Sequence, residues 1–362
     1  MDVKRLDSLT GVRIFAALLV FGFHSVEFST GDELAVFGAG MVGVSLFYVL
    51  SGFVMAWTAR SDDTPGHFYR RRFARIYPSY LVAWLIALAI LLTQGGFGWA
   101  DLVPLTMLQA WVPVEVVYFA GSAVFWSLSC EAFFYLVFPY LHRLIHRLRT
   151  RSLAFIGAGA ATASIGVAFL ALPLPENEFT RWFIIIFPPL RLLEFIVGVV
   201  LGLLFSRGLR SPIPLSGAVA LATAGIYVSS IAPYSLSRFA VTLIPFIILV
   251  TSLATSDLLD KPSVFRWKPI VALGNWSYAF YLLHAMVMAV VFAVLTKIGI
   301  YSEATPSLIV GGELLAALAA SICVAWLLHT FVEIPMAERL RPKERGPRMD
   351  KDPVLVEAAP QA

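Results

Sequence analysis

Residues 11–25 read GVRIFAALLVFGFHS, a run of hydrocarbon with Arg13 near one end and His24 at the other. The rest of the chain repeats this texture. Its 362 residues are 59% hydrophobic and 14% charged, with a mean hydropathy of +0.81. A soluble domain has about 45–50% apolar and about 25% charged residues, so the natural solvent of this chain is a bilayer. Apolar runs of about 20 residues, the length that crosses hydrocarbon, recur over 12–29, 38–58, 76–94, 122–141, 152–172, 184–205, 213–231, 238–256, 272–296 and 308–330. The fold class read from this pattern is all-α, a polytopic membrane helix bundle of about ten transmembrane helices. The first run lacks a small-residue cleavage site leading into a soluble domain, and reads as an anchored helix and not a signal peptide.

The charges orient the bundle. Of 27 Lys and Arg, only Arg181, Arg238 and Lys297 fall in one set of alternate loops, and Arg191 lies within a span. The remainder gather in the other set and in the two ends. The positive-inside rule then makes both termini cytoplasmic, in the cell membrane. Residues 1–340 form one membrane domain, and 341–362 lose all periodicity and read as a disordered tail. The longest external loop, about 95–121, is rich in Trp, Tyr and Gly and reads as lying at the interface or partly re-entering. No internal repeat supports an inverted-repeat transporter, and Gly198-x-x-x-Gly202 reads as a close helix contact. Cys130 and Cys323 both lie inside apolar runs, so neither a disulfide framework nor a zinc site is expected. No metal and no nucleic-acid partner is expected.

Ionisable groups at membrane depth cost roughly 2.5–3.5 kcal/mol each, so each needs a partner or a task. Arg13 and His24 are eleven residues apart, which returns to within roughly 20° of the same helix face and separates them by about 16 Å along the axis. Arg13 then sits near the cytoplasmic surface and His24 near mid-membrane. An imidazole out of water is held neutral and can take a proton, as a general base must; the alternative is a histidine hydrogen-bonded for packing. In FWSLSCEAFFYLVFP (125–139), Glu131 lies one turn beyond Ser127 on the same face, and a Glu paired with His24 would hold the ring in one tautomer. Arg191 and Glu194, three apart in PPLRLLEFIVG, either neutralise each other or face the substrate. Ser277, Tyr281 and His284 share one face of LGNWSYAFYLLHAMV, as a packing network or as part of a site. Glu333 reads as a bridge to the basic loops. Arg70, Arg71, Arg72 and Arg75 crowd HFYRRRFARIYPSYL (67–81). Such a cluster is commonly a topology signal or a lipid anchor, and it also suits a ligand with several phosphates, which Arg binds bidentately.

Taken together, RLDSLTGVRIFAALLVFGFH, GMVGVSLFYVLSGFVMAW, RRRFARIYP, FWSLSCEAFFYLVFP, RLLEFIVGVVLG, LGNWSYAFYLLH and FVEIPMAERL resemble, in order over about residues 5–341, the acyltransferase 3 family of multi-span membrane O-acyltransferases. The resemblance implies transfer of an acyl group from cytosolic acyl-CoA, acetyl-CoA foremost, to a hydroxyl of a sugar, glycan or macrolide-like metabolite, with no permanently bound cofactor. The family's Arg-x10-His pattern falls on Arg13 and His24, its Arg-x-x-Arg on Arg72 and Arg75, and its Ser-Leu-x-x-Glu on Ser127, Leu128 and Glu131. Thr10 stands where many members carry a second early arginine. No extracytoplasmic esterase-like domain follows the spans in this sequence, which favours direct transfer to a smaller acceptor.

The implied mechanism has the CoA phosphates on Arg72 and Arg75, with Arg70 and Arg71 beside them, and His24 as general base oriented by Glu131. Candidate oxyanion or acceptor contacts are Tyr281, Ser277, Arg13, Ser127, Arg191, Glu194 and His284. The rival reading is a proton-coupled transporter or flippase relaying protons through His24 and Glu131. A structural membrane scaffold, a third reading, leaves both sets of buried charge unexplained.

Overall fold

The computed structural model describes residues 4–28, 37–59, 63–301 and 307–340. The expected tail at 341–362 and Arg60 lie outside them. Among the described residues the chain is all-helical. Its ten long helices are α1 (Asp7–Ser25), α2 (Val42–Trp57), α3 (Pro65–Gln94), α4 (Phe125–Ile145), α5 (Thr150–Leu170), α6 (Pro188–Ser206), α7 (Leu215–Ile231), α8 (Ala240–Leu258), α9 (Lys268–Lys297) and α10 (Ser307–Leu328). They coincide with the ten apolar runs. Eight helical stretches are long and apolar enough to cross a membrane. The other two fall short for visible reasons: α4 is diluted by Glu131, Ser127, Ser129 and its tyrosines, and α7 has only 17 residues.

Small residues set the central packing. A Cβ on Gly198 would lie 2.1 Å from the Val49 carbonyl oxygen, and one on Gly202 2.5 Å from that of Phe53. Their four-residue step matches that from Val49 to Phe53, so α2 and α6 run parallel with their backbones in contact. Gly198-x-x-x-Gly202 is therefore the close contact expected. Likewise Gly43 meets the Ala16 carbonyl of α1, and Gly274 of α9 meets that of Thr10. These glycines bring α1, the helix of Arg13 and His24, against both α2 and α9.

The ends of the site-bearing helices are fixed individually. Helix α1 has no side-chain cap of its own. Buried Asp257, at the end of α8, instead accepts from the Ser8 amide at 2.8 Å and the Ser8 hydroxyl at 2.7 Å, satisfying an orphan donor of the first turn. Helix α3 opens with Thr64 as N-cap and Pro65 in its first turn, and closes on Gly95 at φ 68°. The segment after it, over 96–121, packs back onto the bundle through short 3-10 turns and does not hang free. Tyr80 donates to the Pro104 carbonyl at 2.9 Å and Trp84 to that of Asp101 at 2.7 Å, while buried Gln109 donates to the Phe125 carbonyl at 2.8 Å. These bonds tie the irregular backbone to α3 and α4, while Trp99, Leu102, Leu108 and Val116 stay exposed on its outer side.

Candidate active site

Helices α1, α2, α3, α4 and α9 surround a central cavity of about 120 Å³. Arg13 reaches it from α1, Arg72 and Arg75 from α3, Ser127 and Glu131 from α4, and Tyr281 from α9. Six residues dispersed over the chain thus meet around one space. The positive groups are spread over its wall: the Arg13 guanidinium lies 5.9 Å from the Phe47 ring centre, and that of Arg72 lies 5.4 Å from Phe68 and 5.5 Å from Tyr135. Aromatic faces of this kind stabilise a cation that has left water. Arg72 keeps its Nε buried without a hydrogen-bond partner.

Glu131 does not pair with His24. Its carboxylate accepts from the Tyr135 hydroxyl one turn on, and from Ser51 at 3.5 Å. The pairing expected from the sequence fails because Glu131 and His24 face different neighbours: the carboxylate serves the arginine-lined cavity, whereas His24 lies beyond its inner end. That end is closed by a hydrogen bond of 2.7 Å between the Ser127 and Tyr281 hydroxyls. One turn past Tyr281 on α9, the His284 ring centre is 5.9 Å from that of Tyr281 and 5.3 Å from that of His24. His284 Nδ1 sits 2.9 Å from the Tyr281 carbonyl, which only an N–H satisfies, so its buried and unpartnered Nε2 is left as the acceptor. His24 is buried too, and among the described residues its ring makes contacts and no hydrogen bond. The site therefore has two compartments, one of guanidiniums and one of imidazoles, with Tyr281 between them.

Other expected site residues lie elsewhere. Ser277 is fully buried and donates to the Gly274 carbonyl of its own helix at 2.7 Å, away from the cavity. Arg191 and Glu194 form a buried ion pair at 2.8 Å, and Arg191 also donates to Ser45 at 2.9 Å behind Tyr48; they neutralise each other. Arg70 points to the Leu340 carbonyl at 2.8 Å, and Arg71 is tied to Asp63. Glu333 does not bridge to a basic loop: at the end of a π-helical turn it bonds His329 at 2.9 Å and faces Arg72 and Arg75 across a cavity of about 290 Å³.

The sequence reading missed Tyr48, Ser51, Tyr135 and Tyr278, all of which line the central cavity. Tyr135 follows Ser127 and Glu131 at four-residue steps, a signal that was present on one face of α4.

These features meet a consistent set of relatives. A sequence profile described as an acyltransferase domain matches residues 6–330. The chain belongs to the acyltransferase 3 family. It is 38% identical to acyltransferase MdmB of Streptomyces mycarofaciens, over 98% of this chain and 97% of that protein. It is 24% identical to peptidoglycan O-acetyltransferase OatA of Listeria monocytogenes, over 92% of this chain and 56% of that protein. The exopolysaccharide production protein ExoZ of Rhizobium meliloti is 24% identical over 88% of this chain and 95% of its own length. No solved structure matches the chain.

Proposed function

We propose that this membrane acyltransferase of the cell membrane, its termini cytoplasmic and its ten long helices all spanning, moves a short acyl group, acetyl foremost, from cytosolic acyl-CoA to a hydroxyl of a sugar, glycan or glycosylated secondary metabolite such as a macrolide. The observation that carries this reading is the meeting of Arg72 and Arg75 with a narrow buried cavity whose inner end, at Tyr281, adjoins the His24–His284 pair. The names of two relatives, a peptidoglycan O-acetyltransferase and an exopolysaccharide production protein, support a carbohydrate hydroxyl as acceptor.

In this mechanism the thioester end of the donor extends through the cavity to Tyr281, and the acceptor hydroxyl approaches His24. The imidazole takes the hydroxyl proton, and the oxygen attacks the thioester carbon. The resulting tetrahedral oxyanion is met by the Tyr281 hydroxyl or Arg13, since Ser277 is turned away. Collapse breaks the carbon–sulfur bond, and the departing thiolate recovers the proton from His24. His284 lies against the His24 ring with its acceptor Nε2 unpartnered, and so takes the place first given to Glu131 by contact and not by a hydrogen bond. Glu131 balances the guanidiniums that surround the donor.

The test is His24→Ala, measured as acceptor-dependent release of CoA from labelled acetyl-CoA by membranes holding equal amounts of protein. Loss of a general base costs about 10²–10⁴ in rate. Full transfer by a His24→Ala protein that is folded and present at the wild-type level would sink this mechanism.

A further inference from the structure

A second cavity, of about 680 Å³, opens beside the central one between α2, α3, α4 and α6. Arg72 and Met55 line both, so the two are neighbours across a single layer of side chains. A ligand pocket is typically about 300–1,000 Å³, which this cavity satisfies and the central cavity does not. We propose that the larger cavity binds the nucleotide end of the donor, its purine and its phosphates, while the central cavity takes only the thin arm and the acyl group. This rests on the acyl-CoA reading above and specifies where that donor docks.

The chemistry of the walls carries the assignment. Among the described residues, Arg71, Arg72, Arg143, Arg147 and Arg207 border the larger cavity against a single carboxylate, Asp63, which is taken up by Arg71. Arg143, in the last turn of α4, and Arg147, in the turn that follows it, are exposed, and their guanidiniums make no hydrogen bond among the described residues. Arg207 is committed otherwise: it donates to the carbonyls of His146 at 2.6 Å and Leu148 at 2.7 Å, and so fixes the turn after α4 that carries Arg147. Free guanidiniums on a rigid support are suited to phosphate oxygens.

One wall is also a ladder of flat rings. Phe68 stacks on Phe138 at 5.3 Å, His142 lies 5.4 Å beyond, and His146 stacks on His142 at 5.1 Å with an interplanar angle of 8°. Phe68 and Phe138 are buried behind this wall, and the half-buried His142 and His146 are the rings left to stack on a heteroaromatic base. Phosphate donors and stacking faces together define a nucleotide. The alternative mouth, the 290 Å³ cavity, offers Arg71, Arg72 and Arg75 but sets Glu333 and Glu338 against them, and among the described residues its one ring, His329, is bonded to Glu333. A polyanion is held more strongly at the first than at the second.

The test uses the purified full chain with three donors: acetyl-CoA, acetyl-dephospho-CoA and S-acetyl-pantetheine. The double variant Arg143→Gln, Arg147→Gln is expected to raise KM for acetyl-CoA at least tenfold with kcat within twofold. It raises KM less for the dephospho donor, leaves kcat/KM for S-acetyl-pantetheine unchanged, and weakens inhibition by adenosine 3′,5′-bisphosphate. Glu338→Gln leaves the acetyl-CoA KM at the wild-type value. If the wild type uses acetyl-CoA but the double variant keeps its KM, or Glu338→Gln alone lowers KM, the nucleotide docks elsewhere and the inference fails while the acyl-CoA reading stands. A deficit of equal size with S-acetyl-pantetheine, or one set by the phosphatidylglycerol content of the vesicles, makes these arginines a lipid-headgroup site and also overturns it. If the wild type transfers from none of the three donors, the acyl-CoA reading itself fails.

Discussion

Removing a single oxygen, by Tyr281→Phe, separates the two tasks open to that hydroxyl. In the structure it lies 2.7 Å from Ser127 Oγ and 3.4 Å from the Val124 carbonyl oxygen. Ser127 has its own acceptor, the Val124 carbonyl at 2.9 Å, so the serine proton is not orphaned when the phenol is lost. The ring keeps its shape, and no cavity larger than the oxygen opens. The stability cost is therefore that of one ordinary hydrogen bond, about 0.5–1.5 kcal/mol. An oxyanion donor is worth more: its removal lowers kcat about 10²–10³-fold, or roughly 2.7–4 kcal/mol. The assay is kcat at saturating donor and acceptor per mole of folded protein, beside a thermal unfolding midpoint. A fall in kcat of a hundredfold or more with a midpoint lowered by a few degrees is the expected result. A kcat within threefold of wild type, with the same small loss of stability, refutes the oxyanion role and leaves Arg13 to fill it.

Two further outcomes follow from the packing. Gly198→Ala drives a methyl to 2.1 Å from the Val49 carbonyl oxygen and is expected to destabilise the fold by about 1–3 kcal/mol or more, with little protein recovered from membranes as a monodisperse species. Gly159→Ala meets open space and is expected to be recovered at the wild-type yield, so equal yields of the two variants contradict the close contact. Glu194→Gln strands the Arg191 guanidinium in a fully buried site and should cost about 3–5 kcal/mol. The paired change Arg191→Met with Glu194→Leu should recover most of the unfolding midpoint and keep acyl transfer, because neither residue lines the cavity; a folded but inactive pair would place them in the site.

The helices were legible because hydrocarbon length is a one-dimensional property. The same is true of contacts within one helix: Ser127 with Glu131, or Gly198 with Gly202, follow from periodicity alone. Which neighbour a face meets does not. Periodicity assigns Glu131 to the face of Ser127 and His24 to that of Arg13, but only the packing of α2 and α9 around α1 separates the carboxylate from the ring. Ser277 shares a face with Tyr281, yet its short side chain turns to the Gly274 carbonyl instead of reaching across. Arg143 and Arg147 read as topology signals because a loop charge carries no mark of the cavity behind it. Arg72 and Arg75, the residues of the family's Arg-x-x-Arg motif, line the cavity, and the motif gives no sign that Arg70 is drawn off to a backbone carbonyl.

Helix α1 runs unbroken from Asp7 to Ser25, with Arg13 in one compartment and His24 in the other. It therefore acts as a calliper with no hinge. One residue added between them would swing the imidazole by about 100° and lift it by about 1.5 Å, out of reach of His284. Four added residues would restore the direction but carry the ring about 6 Å too far. Side chains along this stretch can vary as packing allows; the number of residues in it cannot.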